Sequence, residues 1–167
     1  MPKSFSVAVA SLCALILAQS TAFTQTQGDA NLSFEKQSYT YEEWIKGKFS
    51  EVVTVRNPGK WIYVAGIGAE QEGDGKILFP GDFYKQCKYA YYRIQKLLAL
   101  HGATLRDLVF VTTYVTDIRF IADSGRCRSE EFKAAGADLP PGATVAVNAF
   151  AWPSMMLEIA ATAALPR

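Results

Sequence analysis

The sequence predicts a single α+β domain in which two helices lie on one face of a mixed β-sheet. Its 167 residues, half of them hydrophobic, are enough to bury one core without help from a metal ion. Two segments have helical periodicity, and β-rich segments precede, separate and follow them in the order β, β, α, β, α, β, β. Strands interrupted by helices in this way are typical of helices packed on one face of a sheet.

The first 22 residues have the features of a secretory signal peptide. Lys3 precedes an apolar run at residues 5–18, and Ser20 and Ala22 have the spacing of a signal-peptidase site. The run is shorter than the about 20 residues of a membrane span, although an uncleaved anchor is the alternative. We therefore expect a secreted or periplasmic protein whose mature chain has no membrane partner.

The folded domain is predicted to begin at residue 47. Residues 23–46 alternate between polar and aromatic side chains without a sustained period, so we expect an extended segment on the surface or on a neighbouring molecule. Two β-rich runs, 50–56 and 61–66, then flank the turn sequence at residues 57–60. This pattern predicts a β-hairpin at the start of a domain that spans residues 47–167.

The first helix is predicted over residues 83–100. Asp82 is a suitable N-cap, and Gly102 suits the left-handed conformation that ends many helices. His101, the one histidine, comes where the helix dipole favours a positive charge. Apolar side chains recur at three- and four-residue steps, which predicts a buried stripe of Phe83, Cys87, Ala90, Tyr91, Ile94, Leu97 and Leu98.

The second half of the chain predicts an interior strand, a helix and two further strands. Residues 108–116 place largely apolar side chains on both faces of the predicted strand, which is typical of a strand in the middle of a sheet. Asp117 follows as a turn or helix cap. A weaker helix is predicted over 120–135, and strands over 143–150 and 155–164.

Charge and motifs exclude several function classes. The chain has 17 Lys+Arg and 16 Asp+Glu, and its net charge falls from +1 to 0 when Lys3 leaves with the signal peptide. Nucleic-acid binders need a basic excess, so we expect no nucleic-acid partner. The sequence contains no dinucleotide fingerprint, P-loop or GxSxG elbow, and one histidine supports no catalytic triad. We expect no cofactor and no metal.

Two cysteines remain in the mature chain. Cys87 and Cys127 could form a disulfide in an oxidising compartment, or remain two half-buried thiols on helices. Their separation excludes a CxxC redox motif, and the sequence leaves the choice between bond and thiols open.

Two features could carry chemistry. Glu158 lies in an apolar strand, where a carboxylate needs a hydrogen-bonding or charged partner or takes a raised pKa, and such acids often mark functional sites. The alternative is a strand-end glutamate that backbone donors satisfy at a subunit boundary. The loop at residues 140–144 could present backbone N–H groups to a ligand, or be an ordinary stiff turn.

The order of elements and several motifs resemble the Rid family of small homotrimeric proteins, also called the YjgF family. The resemblance runs from Gly47 to Ala163. The matching segments are Gly47-Lys48-Phe49-Ser50 with the G-P-Y-S opening, residues 62–66 with the V-Y-V-S-G strand, Gln86 in the first helix, residues 97–117, residues 140–147 with the P-A-R loop and its strand, and Glu158-Ile159-x-Ala161 with the E-I-x-A ending.

This resemblance implies a chorismate-mutase-like protomer, three of which join their sheets into a trimeric barrel with ligand clefts between neighbours. Deaminase members of the family hydrolyse enamines and imines to 2-keto acids and ammonia. The arginine of the P-A-R loop holds the substrate carboxylate, and the late glutamate, here Glu158, orients the attacking water. The ligand-binding positions that the resemblance implies are Phe49, Gly66, Ile67, Thr113, Gly142, Ala143 and Thr144.

Four of the family's polar groups are absent from this sequence. Gly142 stands at the arginine position, Phe49 at the tyrosine, Ala65 at the strand serine and Ile67 at the glutamine. Loss of a bidentate charged contact costs about 2–5 kcal/mol. We therefore predict an exported homotrimer that binds a small neutral or cationic molecule in its inter-subunit clefts and lacks efficient deamination.

Two alternatives remain. In the first, the chain is an imine deaminase in which Arg126 or Arg128 of a neighbouring subunit supplies the missing guanidinium. In the second, it is an endoribonuclease like some family members, a function that the zero net charge of the mature chain disfavours.

Overall fold

The structure is a computed structural model that describes residues 33–167, so the predicted signal peptide at 1–22 lies outside the described residues. No helix within 33–167 combines the length and apolar character needed to cross a bilayer. The main elements are β1 (Glu35–Tyr39), β2 (Val52–Arg56), β3 (Lys60–Ile67), α1 (Phe83–Ala99), β4 (Leu108–Val115), α2 (Ile121–Ala134), β5 (Gly142–Ala146) and β6 (Leu157–Leu165).

A mixed four-stranded sheet forms the centre of the domain in the order β3-β6-β4-β5. Strands β3 and β4 run antiparallel to β6, and β5 runs parallel to β4. Both helices pack on one face of this sheet, as the sequence predicts. The interior position predicted for β4 is confirmed, and β3 and β5 form the edges.

The predicted hairpin between residues 50–56 and 61–66 is wrong. Strand β2 pairs instead with β1, from Glu35 opposite Arg56 to Tyr39 opposite Val52, in a separate two-stranded sheet. The turn between β2 and β3 leads the chain onto β6, because the Gly59 N–H donates to the Leu165 carbonyl at 2.9 Å. The turn sequence predicted that the chain turns there, but β3 pairs with β6 rather than with β2.

Helix α1 is anchored by a buried glutamine that the apolar pattern did not single out. The Gln86 side chain donates to the Ser154 and Phe79 carbonyls at 2.8 and 3.2 Å, and its Oε1 accepts from the Met156 N–H at 2.9 Å. Two of its three hydrogen bonds therefore go to the segment just before β6, and the third goes to the loop just before α1. Leu97, predicted on the buried stripe, is 37% exposed instead.

The predicted caps are confirmed. Asp82 accepts from the Lys85 N–H at 3.0 Å at the start of α1, and Gly102 has a φ of +76° just beyond its end. Asp117 accepts from the Arg119 N–H at 2.8 Å and caps a short 3₁₀ helix that leads into α2. These side chains satisfy backbone N–H groups that a helix start leaves unpaired.

A disulfide joins the two helices, which answers the question that the sequence left open. Cys87 of α1 and Cys127 of α2 are both buried, and their bond closes a loop with a sequence separation of 40 residues. A loop of this length stabilises the fold by about 4 kcal/mol in the chain-entropy description. The bond holds α2 against α1 and therefore fixes α2 relative to the sheet.

The edge strand β5 begins with a glycine that its neighbour requires. Gly142 lies opposite Val111 of β4, and the Val111 N–H donates to the Pro141 carbonyl at 3.1 Å. A Cβ atom on Gly142 would overlap the carbonyl oxygen of Val111. A side chain at residue 142 therefore requires β5 to move away from β4.

Gly142→Ala is expected to lower the free energy of unfolding by about 1–3 kcal/mol, because the added methyl group displaces β5. Gly125→Ala is the matched control, since a Cβ there would meet no atom within 4 Å inside α2. That substitution should raise the free energy of unfolding by about 1 kcal/mol. Urea unfolding of both variants checks this, and a Gly142→Ala protein as stable as the wild type would contradict the close approach.

Candidate functional site

Glu158 lies on the face of the sheet that the helices leave uncovered. Along β6, the alternate residues Leu157, Ile159, Ala161 and Ala163 are buried beneath the helices. Strand alternation therefore directs Glu158, Ala160 and Thr162 to the opposite face. We call this side of the four-stranded sheet the open face. It also carries exposed aromatic side chains, among them Trp61, Tyr63 and Phe110.

The Glu158 carboxylate is partly buried and makes no hydrogen bond or ion pair to any residue within 33–167. Burial raises its pKa above the ordinary value of 4.5, and the negative charge of Glu70 raises it further. Glu70 is itself paired with Arg93 and accepts from the Gly68 N–H at 3.0 Å. This part of the chain therefore supplies the Glu158 carboxylate with neither a positively charged partner nor backbone donors, which are the two kinds of partner expected from the sequence.

Gly66 lies against this carboxylate. A Cβ atom on Gly66 would overlap Oε2 of Glu158, and the pairing of β3 with β6 shifts register between Val64 and Ile67. The absence of a side chain at residue 66 gives the carboxylate its space. The predicted site residues Gly66 and Glu158 thus come together, whereas Ile67 is buried in the core.

A second group of predicted site residues lines a groove at the other edge of the sheet. Phe49, Gly142, Ala143 and Thr144 face a cavity of about 640 Å³ between residues 47–49, α2 and β5. We call this cavity the α2 groove. Thr113, by contrast, is buried in β4 and belongs to neither group.

The two arginines that the deaminase alternative draws from a neighbouring subunit line the α2 groove of their own chain. Arg126 is paired with Asp123 at 2.9 Å and stacks over the Tyr84 ring at 4.1 Å. Arg128 is partly buried and donates from Nη2 to the Lys48 carbonyl at 3.3 Å. Sequence reasoning could not place them there, because only tertiary packing brings α2 beside β5.

The two groups of site residues are well separated within one chain. Glu158 lies opposite Tyr114 on β4, whereas Gly142 lies opposite Val111 on the other side of the same strand. Three residues along β4 and two strand spacings across it correspond to roughly 14 Å. One chain therefore presents two half-sites, a carboxylate beside Gly66 and a groove beside Gly142.

The two half-sites offer different chemistry. The carboxylate half-site can act as an acid or a base, and the groove with its arginines can bind an anion. Residues 33–167 contain no group of three or more His, Cys, Asp or Glu side chains that could hold a metal ion. A partly buried carboxylate with a raised pKa can accept or donate a proton and orient a water molecule. Guanidinium groups bind carboxylates and phosphates through paired N–H donors.

Comparisons with known proteins agree on the fold. Residues 33–165 match the profile of the family described as endoribonuclease L-PSP. A RutC family protein of Pyrococcus abyssi is 34% identical over 86 residues, which cover 52% of this chain and 65% of that protein. The chain thus matches slightly less than two thirds of this relative.

Solved structures with the same fold include two bacterial proteins. YyfB of Yersinia pestis, a Rid family protein of unknown function, is 26% identical with a TM-score of 0.68, covering 78% of this chain and 98% of its own. Escherichia coli TdcF, solved with bound serine, is 17% identical with a TM-score of 0.59. The match covers 77% of this chain and 99% of the TdcF chain. The predicted α+β fold of the YjgF type is confirmed.

Glu158→Gln is expected to stabilise the protein at pH 8 and to have little effect at about pH 3.5. Because the pKa of Glu158 is raised in the folded state, the folded protein binds more protons than the unfolded chain from pH 4.5 up to that raised value. Stability contributed by this group is therefore lost as the pH rises through that window. The neutral glutamine does not incur this loss.

Thermal unfolding of the wild type and Glu158→Gln across this pH range measures the effect. Glu43→Gln is the matched control, because that carboxylate is 81% exposed. A midpoint for Glu158→Gln at or below the wild-type value at pH 8 would show that a donor satisfies the carboxylate in the assembled protein.

Proposed function

The chain belongs to the endoribonuclease L-PSP family, also called the Rid or YjgF family, and on that premise we propose that it is a homotrimer binding a small molecule between its subunits. The observation that carries this proposal is the carboxylate of Glu158 on the open face, for which residues 33–167 supply no partner. A partly buried acid without a donor is costly unless a ligand, water or a neighbouring chain satisfies it.

The apolar character of the open face supports assembly. Tyr63 is 78% exposed, and Trp61 and Phe110 are each 44% exposed on the same side of the sheet. Contiguous exposed apolar surfaces of this kind are typical of interaction sites. Two sheet edges, β3 and β5, also carry unpaired backbone groups that a neighbouring chain can cover.

The separation of the half-sites supports clefts between subunits. Within one chain, Glu158 and Gly142 are too far apart to contact the same small ligand, at roughly 14 Å by strand geometry. A neighbouring subunit that covers the open face brings its own half-site with it. In the proposed trimer, each cleft combines residues of two chains.

Export is part of the proposal, and the disulfide supports it. The predicted signal peptide at residues 1–22 directs the chain out of the cytoplasm. Disulfides such as Cys87–Cys127 persist in oxidising compartments and are rare in the cytosol. We place the mature protein in the periplasm or outside the cell.

The proposed function is binding without efficient hydrolysis of 2-imino acids. The family's arginine position is Gly142, and the close approach of Val111 leaves no room for a side chain there. The second candidate function, imine deamination, is favoured by the raised pKa of Glu158, which suits a residue that orients water. RNA cleavage gains no support, because the mature chain has no basic excess.

Light scattering on the mature protein is expected to give the mass of three chains. Tyr63→Glu should shift this mass to that of one chain, because it buries a charge in the proposed interface. Tyr92→Glu on α1 is the matched control, since Tyr92 is 48% exposed on the helical side of the domain. A monomeric wild-type protein would contradict the shared cleft.

Incubation with an imine that an amino-acid oxidase generates in the cuvette separates the two candidate functions. We expect the wild type to accelerate 2-keto acid formation less than about twofold, since loss of the bidentate arginine contact lowers the rate about 30-fold or more. Strong acceleration that Glu158→Gln abolishes would favour the deaminase and overturn the binding proposal.

A further inference from the structure

The α2 groove has a strongly one-sided charge. Three of its lining residues are cationic, namely Lys48, Arg126 and Arg128, and none is Asp or Glu. Its other walls include Phe49, Ile121 and Ala143, together with hydroxyl groups. A cavity with apolar walls and unbalanced positive charge is complementary to an organic anion.

Arg128 is the arginine of this groove that remains available to a ligand, whereas the Lys48 ammonium lies 5.3 Å over the Trp44 ring. Its guanidinium carries five N–H donors, of which one contacts the Lys48 carbonyl at 3.3 Å, and no residue within 33–167 pairs with it as an acid. Burial lowers the pKa of Arg128, and the nearby Tyr91 phenol is neutral because burial raises its pKa. An arginine remains charged under these conditions, so its charge is left uncompensated.

Arg126 lines the same groove but is already engaged. Its Nη2 lies 2.9 Å from Asp123, and its guanidinium stacks 4.1 Å over the Tyr84 ring. Arg126 and Arg128 thus provide an internal comparison, because Asp123 neutralises Arg126 while Arg128 is free to bind.

The fold holds the Arg128 backbone in place. Residue 128 follows Cys127, which the disulfide fixes to α1. Across the groove, Gly142 cannot carry a side chain, because its Cβ would overlap Val111. A positive group can therefore enter this groove from α2 but not from residue 142 of β5.

We propose that Arg128 is the anion-binding residue of the α2 groove and that its ligand is a carboxylate attached to an apolar group. The planar guanidinium fork matches a carboxylate, and Phe49, Ile121 and Ala143 suit the apolar part. The inference rests on the proposed small-molecule function and names its ligand class. It differs from the neutral or cationic ligand that the loss of the family arginine predicts.

Titrations of three probes with the mature protein, followed by NMR, test this assignment. Benzoate has the proposed carboxylate and apolar ring, benzamide is its neutral counterpart, and inorganic phosphate is an anion without an apolar part. We expect benzoate to bind at least about tenfold more tightly than benzamide and more tightly than phosphate. Arg128→Gln should weaken benzoate binding about 30-fold, equivalent to about 2 kcal/mol, and leave benzamide binding unchanged.

Two further variants make the test specific. Arg126→Gln removes the same charge from the same groove and should change benzoate affinity less than about threefold, because Asp123 already neutralises Arg126. Arg128→Lys keeps the charge without the fork and should give intermediate affinity, which also provides the test if Arg128→Gln does not fold.

The inference is overturned by unchanged benzoate binding in Arg128→Gln, by an equal loss in Arg126→Gln, or by phosphate binding as tight as benzoate binding. Equal binding of benzoate and benzamide would also overturn it while leaving the proposed function standing. If the wild type bound none of the probes, the inference would also be overturned, whereas the proposed function would still be decided by the light-scattering mass.

Discussion

The antiparallel pairing of β4 with β6 is the constraint on which the rest of the structure depends. Because side chains alternate across a strand, burying Leu157 and Ile159 beneath the helices directs Glu158 to the open face. A slip of one residue would bury the carboxylate in the core. Gln86 opposes such a slip, since two of its hydrogen bonds tie α1 to the residues just before β6.

The same packing distributes opposite charges to two places. Glu158 lies beside Gly66 on the open face, while Arg128 lies in the α2 groove beyond the edge strand β5. Neither has a partner of opposite charge among residues 33–167, and burial disfavours the charged form of both. Unpaired, partly buried charges are costly to a fold, so their retention on both sides of the sheet is best explained by ligands or neighbouring subunits.

Gly142 connects the fold to the proposed specificity. The close pairing of β5 with β4 excludes a side chain at this position, which removes the family's positive group from the strand. Arg128 presents a guanidinium to the same groove from the opposite wall. In the proposed site, this placement changes the direction from which a ligand's anionic group is held.

The sequence by itself determined the helices, the interior strand and their caps, because these depend on local periodicity and on side chains next to them in the chain. Motifs also identified Glu158, Gly66 and Gly142 as positions of interest. Local signals could not choose between partners far apart in the chain. For that reason, tertiary structure alone decided three features of the molecule. They are the pairing of β2 with β1, the Cys87–Cys127 bond and the placement of Arg128 beside Gly142. Each of these depends on which surfaces bury the most apolar area against one another, and that is a property of the packed chain as a whole.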